Sequence, residues 1–338
     1  MNTALRRQQG FTLIELLVGI ALALVMTAII VSVFGRASRT SNVTQTVNEI
    51  QEQGRVALDM LQRDVRSAGY IGCNSNRLLG SGFLVNTIAT PTGYRNNLNQ
   101  YLAGFEGTGA SFSPAADVGV TGAVPAALTG SDALTIHIPA GEPVSLSAAM
   151  TSGTAVVPVF STTGFSVGQR AIVGDCGQSS AFVVTGLAGG LQHTASAGTN
   201  ATTDLAGAYG PDAMAVPMTT LTYYLAANGV GTTRSLYRRA DLQANSEQIA
   251  EGVEDFQVQY GVDTNSDNFA DLFVPANAVA DWQRVVSVRA SLLMRSKLEN
   301  AAQNTQSYDF NGSTAVAAAD NRLRRPFNVS IQLRNRTQ

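Results

Sequence analysis

The chain has 338 residues, a formal net charge of −2 and 14% charged residues, with 32 glycines. That length holds an anchor plus one large or two small domains, and the near-neutral balance excludes the strong basic field that gathers nucleic acid. Few charges and many glycines fit a secreted, turn-rich β protein better than a cytosolic enzyme.

The first predicted element is an apolar helix. From Phe11 to Phe34 every residue except Glu15 is apolar, small or hydroxyl-bearing, which exceeds the ~20 residues needed to span a bilayer. A cleavable secretory signal has a shorter apolar core and no early carboxylate. A plain anchor accounts for the length but gives Glu15 no purpose. A carboxylate costs about 2.5–3.5 kcal/mol at a spanning helix centre and less near its end, so it marks a functional hypothesis. The segment from Gly10 to Met26 resembles the class III signal of type IV pilins and type II secretion pseudopilins, with Gly10, Phe11 and Glu15 at the three signature positions. The resemblance implies that residues 1–10 are a cytoplasmic leader and that prepilin peptidase cuts after Gly10 and methylates Phe11. It also implies that Glu15 meets the Phe11 ammonium of a neighbouring copy. Arg6 and Arg7 before the run are balanced by Arg36 and Arg39 after it. The positive-inside rule therefore leaves orientation open, and the resemblance places the remainder in the periplasm.

Residues 35–69 continue as an amphipathic helix. Val43, Val47, Ile50, Gly54, Leu58, Leu61, Val65 and Ala68 recur at spacings of three and four, one face of a 3.6-residue period. Gly69 is a stop signal. Glu49, Glu52, Arg55, Asp59, Arg63, Asp64 and Arg66 form the opposite face, either solvated or touching neighbours in a fibre.

Residues 70–215 read as a Gly/Ser/Thr-rich β insertion or subdomain. The predicted strands are Ala133–Ile138, Ala155–Phe160, Arg170–Val173 and Ala181–Thr185. Tyr94–Thr121 and Leu187–Gly210 read as long polar loops. The chain's two cysteines, Cys73 and Cys176, fall here; an oxidising compartment permits a bond, and two separate buried thiols are the alternative. Gly164-Phe165-Ser166-Val167-Gly168 matches a nucleophile elbow, with Asp175 and His193 following in hydrolase order. An elbow needs a strand before it and a helix after it, and the flanks here read as turns. His137, between Ile136 and Ile138, is expected to point outward from a strand.

Residues 216–338 read as a C-terminal antiparallel sheet domain. Leu221–Ala226 and Ser235–Arg239 form a hairpin, Phe256, Val258 and Tyr260 alternate, and so do Val286–Met294 and Phe327–Leu333. One buried face covered by the amphipathic helix gives an α+β, pilin-like fold. Asp263, Asn265, Asp267 and Asp271 carry oxygens at the early spacing of a calcium loop. The bidentate Glu of such a loop is missing, with Val274 in its place. The competing reading is an Asx-rich turn.

The stretches at 68–73, 175–176, 235–239, 251–263 and 282–296 are similar to the PilW-type minor pilins. The similarity implies a Cys73–Cys176 disulfide and a part in starting or capping a pilus with other minor pilins, the major pilin and a tip adhesin. The J-type minor pseudopilin of type II secretion shares the helix-plus-sheet plan. A membrane-anchored periplasmic hydrolase is the enzymatic alternative. No cofactor is expected beyond the calcium of the acidic loop, and no nucleic-acid partner.

Overall fold

The structure is a computed structural model that describes residues 12–70, 72, 84–89, 93–228, 233–302 and 304–335. The chain divides into two compact units, residues 1–49 and 50–338. One helix, α1 (Leu13–Ser67), contributes to both.

In the first unit α1 begins at a capping box. The Glu15 carboxylate accepts from the Thr12 amide at 3.0 Å and the Thr12 hydroxyl at 2.9 Å. The Thr12 hydroxyl in turn accepts from the Glu15 amide at 3.3 Å. Two of the unpaired N–H groups at the helix start are thereby satisfied. Downstream, all side chains from Leu13 to Phe34 are exposed. By length and composition this helix can cross a membrane, with a mean hydropathy of 2.8 over its most apolar window.

In the second unit the buried stripe of α1 runs Ile50, Gly54, Ala57, Leu61, Val65, Ala68, the helical spacing read from the sequence. Gly54 allows close approach, since a Cβ there would sit 2.8 Å from the Phe327 ring. Gly69 ends the helix with φ +76°, the left-handed cap that glycine adopts at no steric cost.

The remaining elements are β1 (Leu84–Asn86), β2 (Leu102–Gly107), β3 (Phe112–Ser113), α2 (Val118–Thr121), β4 (Ala133–Pro139), β5 (Val144–Ser145), β6 (Arg170–Gly174) and β7 (Ser179–Val183). They continue with β8 (Met214–Ala227), β9 (Arg234–Ala240), β10 (Glu247–Glu251), β11 (Val253–Val262), β12 (Leu272–Val274), β13 (Val285–Arg295), β14 (Ser307–Phe310), β15 (Ser313–Ala317) and β16 (Arg324–Gln332). A large sheet has the order β1-β7-β6-β8-β4-β2-β3, with β9 and β5 also on β8 and β10 on β9. A four-stranded antiparallel sheet has the order β12-β11-β13-β16, and β14 pairs with β15 alone.

The long strand β8 explains how the middle of the chain is built in. Its first residues pair with β6, its middle with β4 and its end with β9. Strands from residues 84–183 and the 221–239 hairpin therefore share one sheet, and β8 runs through the expected boundary at 215. Ala155–Phe160 makes only isolated bridges, at Val157 and Val159, and β2 lies inside a stretch expected to be a polar loop. The two sheets meet through side chains. The Tyr101 hydroxyl donates to the Val285 carbonyl at 2.8 Å, and the Asp132 carboxylate accepts from the amides of Gly107 and Val258 at 3.0 and 2.8 Å.

Candidate assembly site

The apolar run of the first unit is the feature least explained by the chain's own folding. Fifteen of its large apolar residues, from Leu13 to Phe34, are at least half exposed. Covering such a surface is favourable by about 25 cal/mol per Å², so a membrane or a bundle of like helices must supply the cover. Glu15 sits in the first turn of this run. Its described side-chain bonds go to Thr12, and the helix N-terminus favours its negative charge. Gly10 and Phe11 lie outside the described residues.

The other candidate groups are dispersed. Ser166 lies in a turn between Gly164 and Gly168, both at positive φ, with its amide donating to Gln169. Asp175 caps the β6–β7 turn by accepting from the amides of Gly177 and Gln178. His193 places Nε2 2.7 Å from the Ala155 carbonyl and its ring against Phe182. None of these bonds links the three groups, and neither the strand nor the helix of an elbow flanks Ser166. Cys176 lies in the same turn and is not a free thiol; Cys73 lies outside the described residues.

The acidic loop closes on itself. Asp263 accepts from the amides of Asn265 and Ser266 with Oδ1 and from Asn268 with Oδ2. Asn265 donates its side-chain amide to Asp267 and Asp271 at 3.1 and 3.3 Å. Asp271 accepts from both the amide and the hydroxyl of Thr264, which hold its carboxyl below the usual range. Ser266 and Asn268 supply the positive φ values that the turn needs. The loop is closed by its own hydrogen bonds: Asp263 Oδ1 accepts two amides and Oδ2 one, and the Asn265 N–H stands between Asp267 and Asp271. Among the described residues no three His, Cys, Asp or Glu side chains are grouped to hold a metal.

Two residues overturn their expected settings. His137 is buried, not outward: it stacks on Tyr94 at 4.3 Å, with Nε2 3.0 Å from the Tyr94 carbonyl and Nδ1 3.0 Å from the Thr220 hydroxyl. Burial pushes its pKa down to about 4. Asp64 is not on the solvated face of α1. It is buried and accepts from the Tyr223 hydroxyl at 2.5 Å and from Arg238 at 2.7 Å. Its position three residues after Leu61 places it within the buried stripe, a signal present in the spacing.

Sequence comparison adds two matches at opposite ends of the chain. Residues 5–31 match the prokaryotic N-terminal methylation motif, and residues 222–335 match the type IV pilus-assembly protein W family. The two matched regions together support a type IV pilus minor pilin. The matched C-terminal region of this minor pilin begins within β8 and takes in the whole four-stranded sheet, while the methylation motif covers the head of α1. No curated protein and no solved structure matches the chain. The matches imply involvement in the type IV pilus machinery and processing by prepilin peptidase, and the signal with its apolar helix points to membrane anchoring. Domains of this family are structural, not catalytic.

Proposed function

We propose that this minor pilin is a non-catalytic subunit of the complex that starts or caps the pilus, in contact with other minor pilins, the major pilin and a tip adhesin. It enters the inner membrane with residues after the apolar run in the periplasm, is cut between Gly10 and Phe11, and is methylated at Phe11. In the fibre Glu15 attracts the Phe11 ammonium of an adjacent subunit and fixes register, while the exposed Leu and Ile residues supply non-directional cohesion. Outside the membrane, a disulfide between Cys73 and Cys176 closes the middle region. The observation that carries this reading is the run Leu13–Phe34, wholly exposed and headed by a carboxylate whose described partner is only the neighbouring Thr12.

The capping box gives Glu15 a second task, and substitution separates the two. Gln at this position of a capping box still reaches back to the N-cap amide but carries no charge. Glu15→Gln and Glu15→Ala should both be cleaved and membrane-inserted, yet nearly absent from sheared fibres on quantitative mass spectrometry. Normal incorporation of Glu15→Gln with loss of Glu15→Ala would reduce Glu15 to a helix cap. Mass spectrometry of the native N-terminal peptide tests the rest. Methylated Phe11 in surface fibres supports a pilus subunit, and an intact leader in cells with active peptidase would sink the reading.

A further inference from the structure

The four-stranded sheet has a second face that neither α1 nor the large sheet uses. Val258, Tyr260, Val288, Ala290 and Leu292 point into the core. Their alternates form cross-strand rows on the opposite face: Gln259 beside Arg289 beside Ser330, and Gln257 beside Ser291 beside Asn328. The β14–β15 hairpin overhangs one side, pinned by Asn311 donating to Gln257 at 3.2 Å, and Phe273 stands on the other. Between them lies an open groove of about 610 Å³, within the range of small-ligand sites.

Arg289 is the group in this groove that calls for a partner. Its guanidinium lies 3.9 Å over the Phe273 ring and reaches Gln259 at 3.5 Å. Among the described residues no carboxylate pairs with it. Stacking on an aromatic face fixes the orientation of the planar guanidinium and presents its N–H edge for bidentate recognition of a carboxylate. The other groups on offer are amides and hydroxyls: Asn328, Asn311, Ser313 and Thr314. Asp309 on the hairpin accepts from the Ala315 amide with Oδ1, which leaves Oδ2 to accept from a ligand hydroxyl. The floor offers only side chains, because the backbone N–H and C=O groups of β11, β13 and β16 lie in the plane of the sheet and not on its face. An added peptide strand would pair along a sheet edge and not on this floor, and a polyanion would need more than one cation.

We propose that this groove binds a carboxylated sugar, a uronic-acid mono- or disaccharide unit, with the carboxylate on Arg289 and the hydroxyls on the amides and Asp309. The site is independent of the assembly reading. The test is titration calorimetry on the full chain in a sugar-free detergent, with hyaluronan disaccharide as probe, cellobiose as the neutral control and sodium acetate as competitor. The expected result is saturable binding of the acidic disaccharide, with cellobiose and Arg289→Gln each weaker by about tenfold or more, the size of a lost charge-assisted hydrogen bond. Asn328→Leu, which fills the floor without touching the charge, should also abolish binding and stands in should Arg289→Gln fail to fold. No binding of the acidic disaccharide, equal binding of cellobiose, full displacement by equimolar acetate, or undiminished binding by the folded variants would overturn the proposal.

Discussion

The two units of this minor pilin satisfy their side chains by opposite means. Between Leu13 and Phe34 nothing apolar is buried and the head of the helix is closed by a local Thr12–Glu15 exchange. From Ile50 onward the same helix contributes a stripe to a core within the chain, where buried charges are paired: Asp64 with Tyr223 and Arg238, and Arg324 with Glu254 at 2.6 and 3.0 Å. The first region is written for other molecules and the second for its own fold. Substitutions should therefore separate cleanly, with changes after Ile50 read out in stability and changes before it in assembly.

The strongest test is Asp64→Ala. Removing one member of a buried charged pair costs about 3–5 kcal/mol, and here it also strands the fully buried Tyr223 hydroxyl. Chemical unfolding of the detergent-solubilised chain should show that loss, while membrane insertion and leader cleavage stay normal. A variant of unchanged stability would mean that α1 does not need this tether, and the distinction between the units would fail at its boundary.

A pH titration sharpens the same distinction, because two buried groups of the second unit pull in opposite directions. His137 has a folded pKa of about 4 against an ordinary 6.5. Protons therefore favour the unfolded chain, and stability is lost as pH falls from about 6.5 to about 4, by about 3 kcal/mol in total. Burial raises Asp132 to about 7, aided by Glu106 and Asp255 nearby. Its folded form holds the proton longer, so its contribution is lost as pH rises from about 4 to about 7. The native chain should consequently show a shallow profile between these limits. His137→Gln removes the first slope, leaving stability that falls with rising pH. A profile unchanged by this substitution would contradict the buried neutral imidazole.

These positions also show what the sequence made legible. The apolar run, its Gly10-Phe11 and Glu15 signals, the helical stripe to Ala68 and the Gly69 stop carry strong local periodicity, as do strands 253–262, 285–295 and 324–332. The Thr12–Glu15 capping box is equally local, a Thr and a Glu three residues apart at the head of an apolar run. The Asn311-Gly312 hairpin, with φ of 48° and 79°, is a strong turn signal, but its strands are too short and polar to show a period. Long-range pairing was not legible. Nothing local tells that β8 joins strands from residues 84–183 to the 221–239 hairpin, or that His137 faces Tyr94. The acidic loop has the composition of both a metal site and a turn, and only coordinates tell where its amides point.

A smaller effect separates the two units by a single kind of substitution. A Cβ at Gly54 would meet the Phe327 ring at 2.8 Å, whereas one at Gly35 meets nothing within 4 Å. Overpacking costs about 1–3 kcal/mol, offset by roughly 1 kcal/mol of helix propensity gained from Ala. Gly54→Ala should lower the melting temperature by a few degrees, and Gly35→Ala, which keeps the propensity gain without a clash, should leave it in place or raise it slightly. Equal responses would argue against close helix-to-strand packing at Gly54.

The least effect is expected at the loop most suggestive of a ligand. Calcium binding at Asp263–Asp271 has to turn the Asn265 side chain away from Asp267 and Asp271, so it must exceed what those bonds contribute. A ligand that binds the folded state raises stability by RT ln(1 + [L]/Kd). Titrating the full chain with calcium to millimolar concentration should leave its melting temperature unchanged, and chelation should do the same. A rise with added calcium, abolished in Asp267→Ala, would show that the loop opens to take the ion and that its self-closed form is one of two states.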